Sequence, residues 1–253
     1  MAQAHGDVGR VTALWLNCVM NLITNALRSL QKLGSQPIIS ITMARLPPMP
    51  TELLTLGRRV LRPRDAAGVY HNPAGEFRRL ARGGALRRVA HGYYLLPPQE
   101  AAGDLGWRPE VEHLALGIAV ADHGDRAALM GLSAARYHGA VPRAHATGWV
   151  AVAVSRRPLD CGRYGQVVFV RRDLDGLDLV AARTPITDGW VTSVEQTVVD
   201  LARRPNDVGG IEAAAQIAAV LLDRADETLV DELARAQRAR SALARLRHHL
   251  TLR

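Results

Sequence analysis

Apolar and polar residues alternate along this chain with two different rhythms, and the change between them comes near residue 100. Before it the apolar groups are brief. Thr51 to Val60 predicts a short helix with Thr51 as its cap. Pro63 opens a second, Pro63 to Ala67, which Gly68 ends, and Val69 and Tyr70 make the turn. Asn72 followed by Pro73 is a cap and first-turn pair that starts a third helix over 73–82, stopped by Gly83 and Gly84. In it Ala74, Phe77, Leu80 and Ala81 recur at i, i+3, i+6, i+7, three and four residues apart as on a core face. Gly75, Glu76, Arg78, Arg79 and Arg82 are then left outward. Ala85 to Ala90 and Tyr93 to Leu96 read as two strands around His91 and Gly92, closed by Pro97 and Pro98. Leu86 and Val89 break strict alternation, which predicts a bulge.

From Trp107 onward the segments lengthen. Pro109 to His123 predicts a helix, with Val111, Leu114, Ala115, Ile118 and Ala119 on one side, and Ser133 to His138 a shorter one. Valine-rich strands are expected at Trp149 to Val154 and Val167 to Val170, with two more at Leu177 to Ala182 and Trp190 to Thr192. Ser193 caps a helix to Ala202, and Ile211 to Asp223 and Glu227 to Leu250 read as long alanine-rich helices. The predicted fold class is α+β, an N-terminal winged helix-turn-helix followed by a mixed α/β domain ending in long helices. The expected organisation is an extension over 1–46, a winged helix-turn-helix DNA-binding domain over 51–98, and a mixed α/β domain over 105–253. Pro47, Pro48, Met49 and Pro50 form a stiff linker.

The extension raises the question of a membrane. Val11 to Leu27 carries no charge, but Asn17, Asn21, Thr24 and Asn25 interrupt it, and it is short for a bilayer core needing about 20 apolar residues. Its polar positions recur at helical spacing, so an amphipathic helix and no membrane span is expected. The alternative is that translation starts at Met43 or Met49.

Charge sharpens the picture through its distribution. The chain carries +8 with one lysine, Lys32, so its base is almost all arginine. Residues 45–100 hold ten arginines against four acids, whereas residues 101–253 hold nineteen of each. Within the latter, 101–232 sums to −6 and the tail from Leu233 to Arg253 to +6. A basic module joined to an acidic body suggests one surface for a polyanion and another for a different partner. An arginine-studded helix starting with Asn suits the major groove, since Arg pairs bidentately with guanine and Asn with adenine. The candidate DNA-binding residues are Arg64, Asn72, Arg78, Arg79, Arg82, Arg87, Arg88 and His91. Arg87, Arg88 and His91 belong to the hairpin, where backbone or minor-groove contact is expected.

Other chemistry finds little support. Cys18 and Cys161 have no metal-ligand spacing and read as reduced cytosolic thiols, and the nine histidines are scattered. A restriction-type nuclease would pair carboxylates around a metal beside a lysine. Asp173, Asp175, Asp178, Glu195 and Asp200 are available, but no lysine follows residue 32. No catalytic residue, cofactor or metal is expected.

The runs RDAAGV from Arg64 and FRRLARGGALRRVAHGYY from Phe77 to Tyr94 resemble the N-terminal winged helix of the AbiEi-type antitoxins. GLSAARYHG from Gly131 and VTSVEQTVVDLA from Val191 resemble that family's second domain. The resemblance covers roughly residues 51–205, in the same order. Arg62 stands where Ser or Thr is expected before the second helix. The resemblance implies an antitoxin that represses its own promoter through inverted repeats in double-stranded DNA. The residues themselves fit direct repeats equally well, and a homodimer on DNA and a cytoplasmic location are further expectations. The resemblance also implies a nucleotidyltransferase-like toxin as partner, counteracted by the C-terminal domain. Two other readings are a plain winged-helix regulator with a sensing or dimerisation domain, and a DNA-targeted nuclease.

Overall fold

A computed structural model describes residues 49–251 except Gly103 and Leu105. The amphipathic helix expected near the N-terminus, and Cys18, lie outside the described residues. The described residues form one compact unit. The described residues are mixed α and β, with eight α-helices and two sheets.

The first elements are α1 (Thr51–Leu54), β1 (Val60–Leu61) and a 3-10 turn at Pro63–Ala66. The helix expected up to Val60 therefore stops early, and Pro50 rather than Thr51 precedes it. Gly57, at φ 67°, turns the chain away. Val60 and Leu61, both fully buried, then pair with Leu95 and Tyr94. The third helix is α2 (Pro73–Arg82), at the expected bounds. β2 (Arg87–Ala90) and β3 (Tyr93–Leu95) form the hairpin, giving a three-stranded sheet of order β1-β3-β2. Its register shifts between Arg88 and Ala90, the bulge that Leu86 and Val89 imply.

The body begins with α3 (Val111–His123), β4 (Ala127–Leu129) and α4 (Gly131–Tyr137). Ser133, the expected start of this helix, lies inside it, and its Oγ accepts the Trp149 amide at 2.8 Å. β5 (Thr147–Val152), β6 (Leu159–Asp160), β7 (Gln166–Arg171), β8 (Leu179–Arg183) and β9 (Asp188–Thr192) complete a sheet of order β6-β7-β5-β4-β9-β8. It mixes parallel pairs, β4–β9 and β5–β7, with antiparallel ones. Alternate residues serve opposite faces, as a pleat requires. Leu129, Val150, Val152, Val167 and Phe169 pack under α3, while Ala128, Ala151 and Val170 face away with Met130 and Leu174.

Four helices close the chain: α5 (Val194–Arg203), α6 (Ile211–Leu222), α7 (Glu227–Ala236) and α8 (Arg240–Thr251). Ser193 caps α5 as expected, accepting the Gln196 amide at 3.0 Å. The single long helix expected from Glu227 to Leu250 is broken. Arg238 takes φ 55°, the Ala239 amide bonds back to the Ala234 carbonyl at 2.7 Å and that of Arg238 to Arg235 at 3.2 Å. This is a Schellman-type end. Folding back lets Leu243 and Leu246 join Leu201, Ala214, Leu221 and Val230 in a helical core.

The hairpin lies between two cores. Leu86 and Tyr94 pack with Phe77 and Leu80 of α2, whereas Val89, Tyr93 and Leu95 pack with Leu114 and Ile118 of α3. Helix α3 is accordingly apolar on nearly all sides. At Gly117 a Cβ would stand 2.7 Å from Val60 Cγ2 and 2.8 Å from Ile186 Cγ2, so glycine permits β1 to approach the helix.

Candidate nucleic-acid interface

Helix α2 is built from its ends. Asn72 Oδ1 accepts the Gly75 amide at 3.1 Å and Pro73 supplies the first helical φ. A Cβ on residue 75 would lie 2.7 Å from Asn72 Nδ2, so glycine makes room for the cap. Phe77 and Leu80 are fully buried, Ala81 is half-buried, and Ala74, expected on the core face, is exposed. The Phe77 ring meets Tyr94 of β3 edge to face, with centroids 5.2 Å apart. Arg78, Arg79 and Arg82 are all exposed, as the helical period requires.

Their partners differ. Arg78 Nε donates to the Ala74 carbonyl at 3.2 Å, and Arg79 pairs with Glu76 at 2.8 Å. An exposed pair of that kind holds about 0–1 kcal/mol, which a phosphate can readily displace. On the hairpin, Arg88 and His91 are exposed and touch each other at 3.2 Å, a contact in which His91 Nδ1 accepts. Gly92, at φ 78°, makes the turn.

Three of the expected contact residues also have partners within the chain. Asn72 cannot read adenine bidentately while Oδ1 holds the cap. Arg87 is half-buried, stacks over Trp107 at 5.3 Å, and donates to the carbonyls of Trp107 and Asp104. It is a strut between the hairpin and the following segment. Arg64 donates to the Ala121 carbonyl at 2.8 Å and lies 3.4 Å from Asp122, yet its side chain stays exposed like those of Arg78 and Arg79.

The pattern of the sequence did not disclose the cluster behind the hairpin. Asp122, near the end of α3, accepts the Tyr93 hydroxyl and pairs with Arg62 and with Arg156 at 3.0 Å. Arg62 and Arg156 also lie over the Tyr93 ring, 4.8 and 5.5 Å from its centre. The Asp65 amide donates to the Arg62 carbonyl at 2.9 Å and the Asp65 carboxylate accepts the Arg62 amide at 2.8 Å, so the 3-10 turn closes without a Ser or Thr before it. One signal was available: Asp122 is an acid in the last turn of a mostly apolar helix, where the dipole disfavours it.

The carboxylates weighed for catalysis are dispersed. Asp200 is fully buried and pairs with Arg172 at 2.7 Å, while Gln196 donates to it at 3.1 Å. Burial raises its pKa above the ordinary carboxylate value, against the lowering pull of Arg172. Glu195 accepts the Asp226 amide at 3.0 Å and Asp175 pairs with Arg126 at 3.1 Å. Among the described residues no three His, Cys, Asp or Glu side chains are grouped to hold a metal, and no helix is long and apolar enough to cross a membrane.

No curated protein matches the chain. The crystal structure of the RV2827C protein from Mycobacterium tuberculosis is 20% identical, over 77% of this chain and 76% of that one, with a TM-score of 0.47. The family of the AbiEi antitoxin C-terminal domain matches residues 126–252. That stretch runs from the start of β4 to the end of α8, taking in most of the larger sheet and the helical core. The chain belongs to the AbiEi antitoxin family, and its role is that of an antitoxin in a toxin–antitoxin system.

Proposed function

We propose that this antitoxin represses its own promoter, using residues 51–98 as a winged helix-turn-helix. Helix α2 enters the major groove and the β2–β3 hairpin is the wing. The observation that supports this best is the division of α2, whose Phe77 and Leu80 are fully buried while Arg78, Arg79 and Arg82 are all exposed. Each arginine that pairs with a guanine edge would discriminate by about 1–3 kcal/mol. Arg88 and His91 contact the backbone from the hairpin, while Asn72, Arg64 and Arg87 act by holding the module in shape. The protein works in the cytoplasm as a homodimer on inverted repeats. Its domain at 105–253 counteracts a nucleotidyltransferase-like toxin encoded beside it, without catalysis or a cofactor of its own.

The test is a titration against a labelled duplex of its own upstream region and a scrambled duplex at two salt concentrations. The upstream duplex should bind more tightly, and Arg78→Ala/Arg79→Ala should abolish that preference. For each phosphate that the variant no longer neutralises, the slope of log affinity against log salt should shrink by about 0.9. Equal, weak binding to both duplexes would sink the reading of α2. Co-expression with the adjacent gene tests the other half, and undiminished toxicity there would refute neutralisation.

A further inference from the structure

We infer that Asp122, a residue of the body, is the positioning residue for the DNA-contacting hairpin; this rests on the reading just proposed. The consecutive tyrosines of β3 belong to different cores. Tyr94 meets Phe77 of α2, and Tyr93 packs into the body. Tyr93 lies two residues beyond His91, so whatever fixes its hydroxyl fixes the hairpin tip.

That hydroxyl donates to Asp122 Oδ2 and accepts from Arg156 Nη1 at 2.8 Å. Arg156 also pairs with the same carboxylate oxygen at 3.0 Å and lies 4.1 Å from the centre of the Phe169 ring. Arg62 and Arg64 reach the other oxygen, Oδ1. Both oxygens are thus doubly used. The Asp122 side chain is 8% exposed, so the carboxylate is largely shielded from water, while its arginine partners reach it from the surface.

The balance of charge makes Asp122 singular. Three guanidinium groups converge on one carboxylate, two from the module and one from the β5–β6 connection. Without the negative charge, the three would face one another in a partly desolvated space, which drives them apart. Asp122 also sits in the last turn of α3, where the helix dipole opposes an anion, so the arginines and the phenol are what offset that cost. Helix α3 is itself packed against the six-stranded sheet. The hairpin is therefore aimed from the antitoxin body, through Asp122.

Base reading needs side chains placed to within a fraction of an ångström, whereas phosphate attraction tolerates displacement. Releasing the hairpin should therefore cost specific binding more than non-specific binding. The experiment compares full-length wild type, Tyr93→Phe, Asp122→Asn and Arg78→Ala on the upstream and scrambled duplexes, with thermal unfolding alongside. Tyr93→Phe keeps the ring and removes only the hydroxyl, so it decides the matter if Asp122→Asn fails to fold. The expected result is a cooperative melt with the upstream-to-scrambled affinity ratio reduced about tenfold, scrambled binding being nearly unchanged. An unchanged ratio in Tyr93→Phe, with wild type discriminating and Arg78→Ala not, overturns the positioning role alone. Wild type that does not discriminate overturns the DNA reading and the positioning role with it.

Discussion

Phe77 and Tyr94 meet edge to face at 5.2 Å with their planes at 85°, joining α2 to the hairpin through one aromatic pair. Phe77 is fully buried, so Phe77→Ala removes both the ring pair and its packing. A loss of about 3–5 kcal/mol is expected by urea denaturation. Arg82→Ala on the exposed side of the same helix should leave stability within about 0.5 kcal/mol while changing DNA affinity. A large stability loss from Arg82→Ala would mean that face is packed.

Asp200 and Arg172 form a buried pair whose members are unequal. The carboxylate is fully enclosed and its Oδ2 has no hydrogen-bond partner. Removing Arg172 leaves an uncompensated buried charge, so Arg172→Met should cost about 3–5 kcal/mol at neutral pH. The pH sign follows from the raised pKa of Asp200. Below its ordinary value of 3.8 both folded and unfolded states carry the proton, and its stabilising contribution is complete. As pH rises through the folded-state value that contribution is lost. Arg172→Met should therefore be less stable at pH 8 than at pH 5, by more than wild type, and Asp200→Asn should flatten the difference. Parallel curves for all three proteins would reject the assignment.

Gly117 is where β1 approaches α3. A methyl group there would press on Val60 and Ile186, both fully or nearly fully buried. Gly117→Ala ought to destabilise by about 1–3 kcal/mol, although alanine is the better helix former. Unchanged or increased stability in a thermal melt would show that β1 can move aside.

Arg238 holds a left-handed conformation that costs a side chain about 1–2 kcal/mol. Arg238→Gly should relieve part of this and raise the melting temperature by about 2–4 °C. A fall instead would mean the Arg238 side chain contributes more than its backbone costs.

Cys161 is buried, and burial pushes its thiol up to about 11. At pH 8 only about one molecule in a thousand carries the thiolate. In a Cys18→Ser background, alkylation of Cys161 should wait for denaturant. Rapid labelling of the native protein would contradict that burial.

Much of the local structure was legible from the chain because it depends on neighbours in sequence. The Asn72–Pro73 start and Gly83 stop of α2, the Ser193 cap and the bulge at Val89 are each set by residues a few positions apart. The exposed faces of Arg78, Arg79 and Arg82 follow from the helical period alone. What the pattern missed were long-range decisions. Val60 and Leu61 became a strand because β3 offered them an edge. The helix after Glu227 broke because Leu243 and Leu246 gain more by folding back into the helical core than by continuing straight. Arg64 and Arg87 look like any other basic residues until Asp122 and Trp107, 58 and 20 positions away, claim them. Sequence determined which groups could contact a polyanion, through composition and period. Tertiary structure decided which of them also take partners within the protein, because a guanidinium's partners are chosen by distance in space.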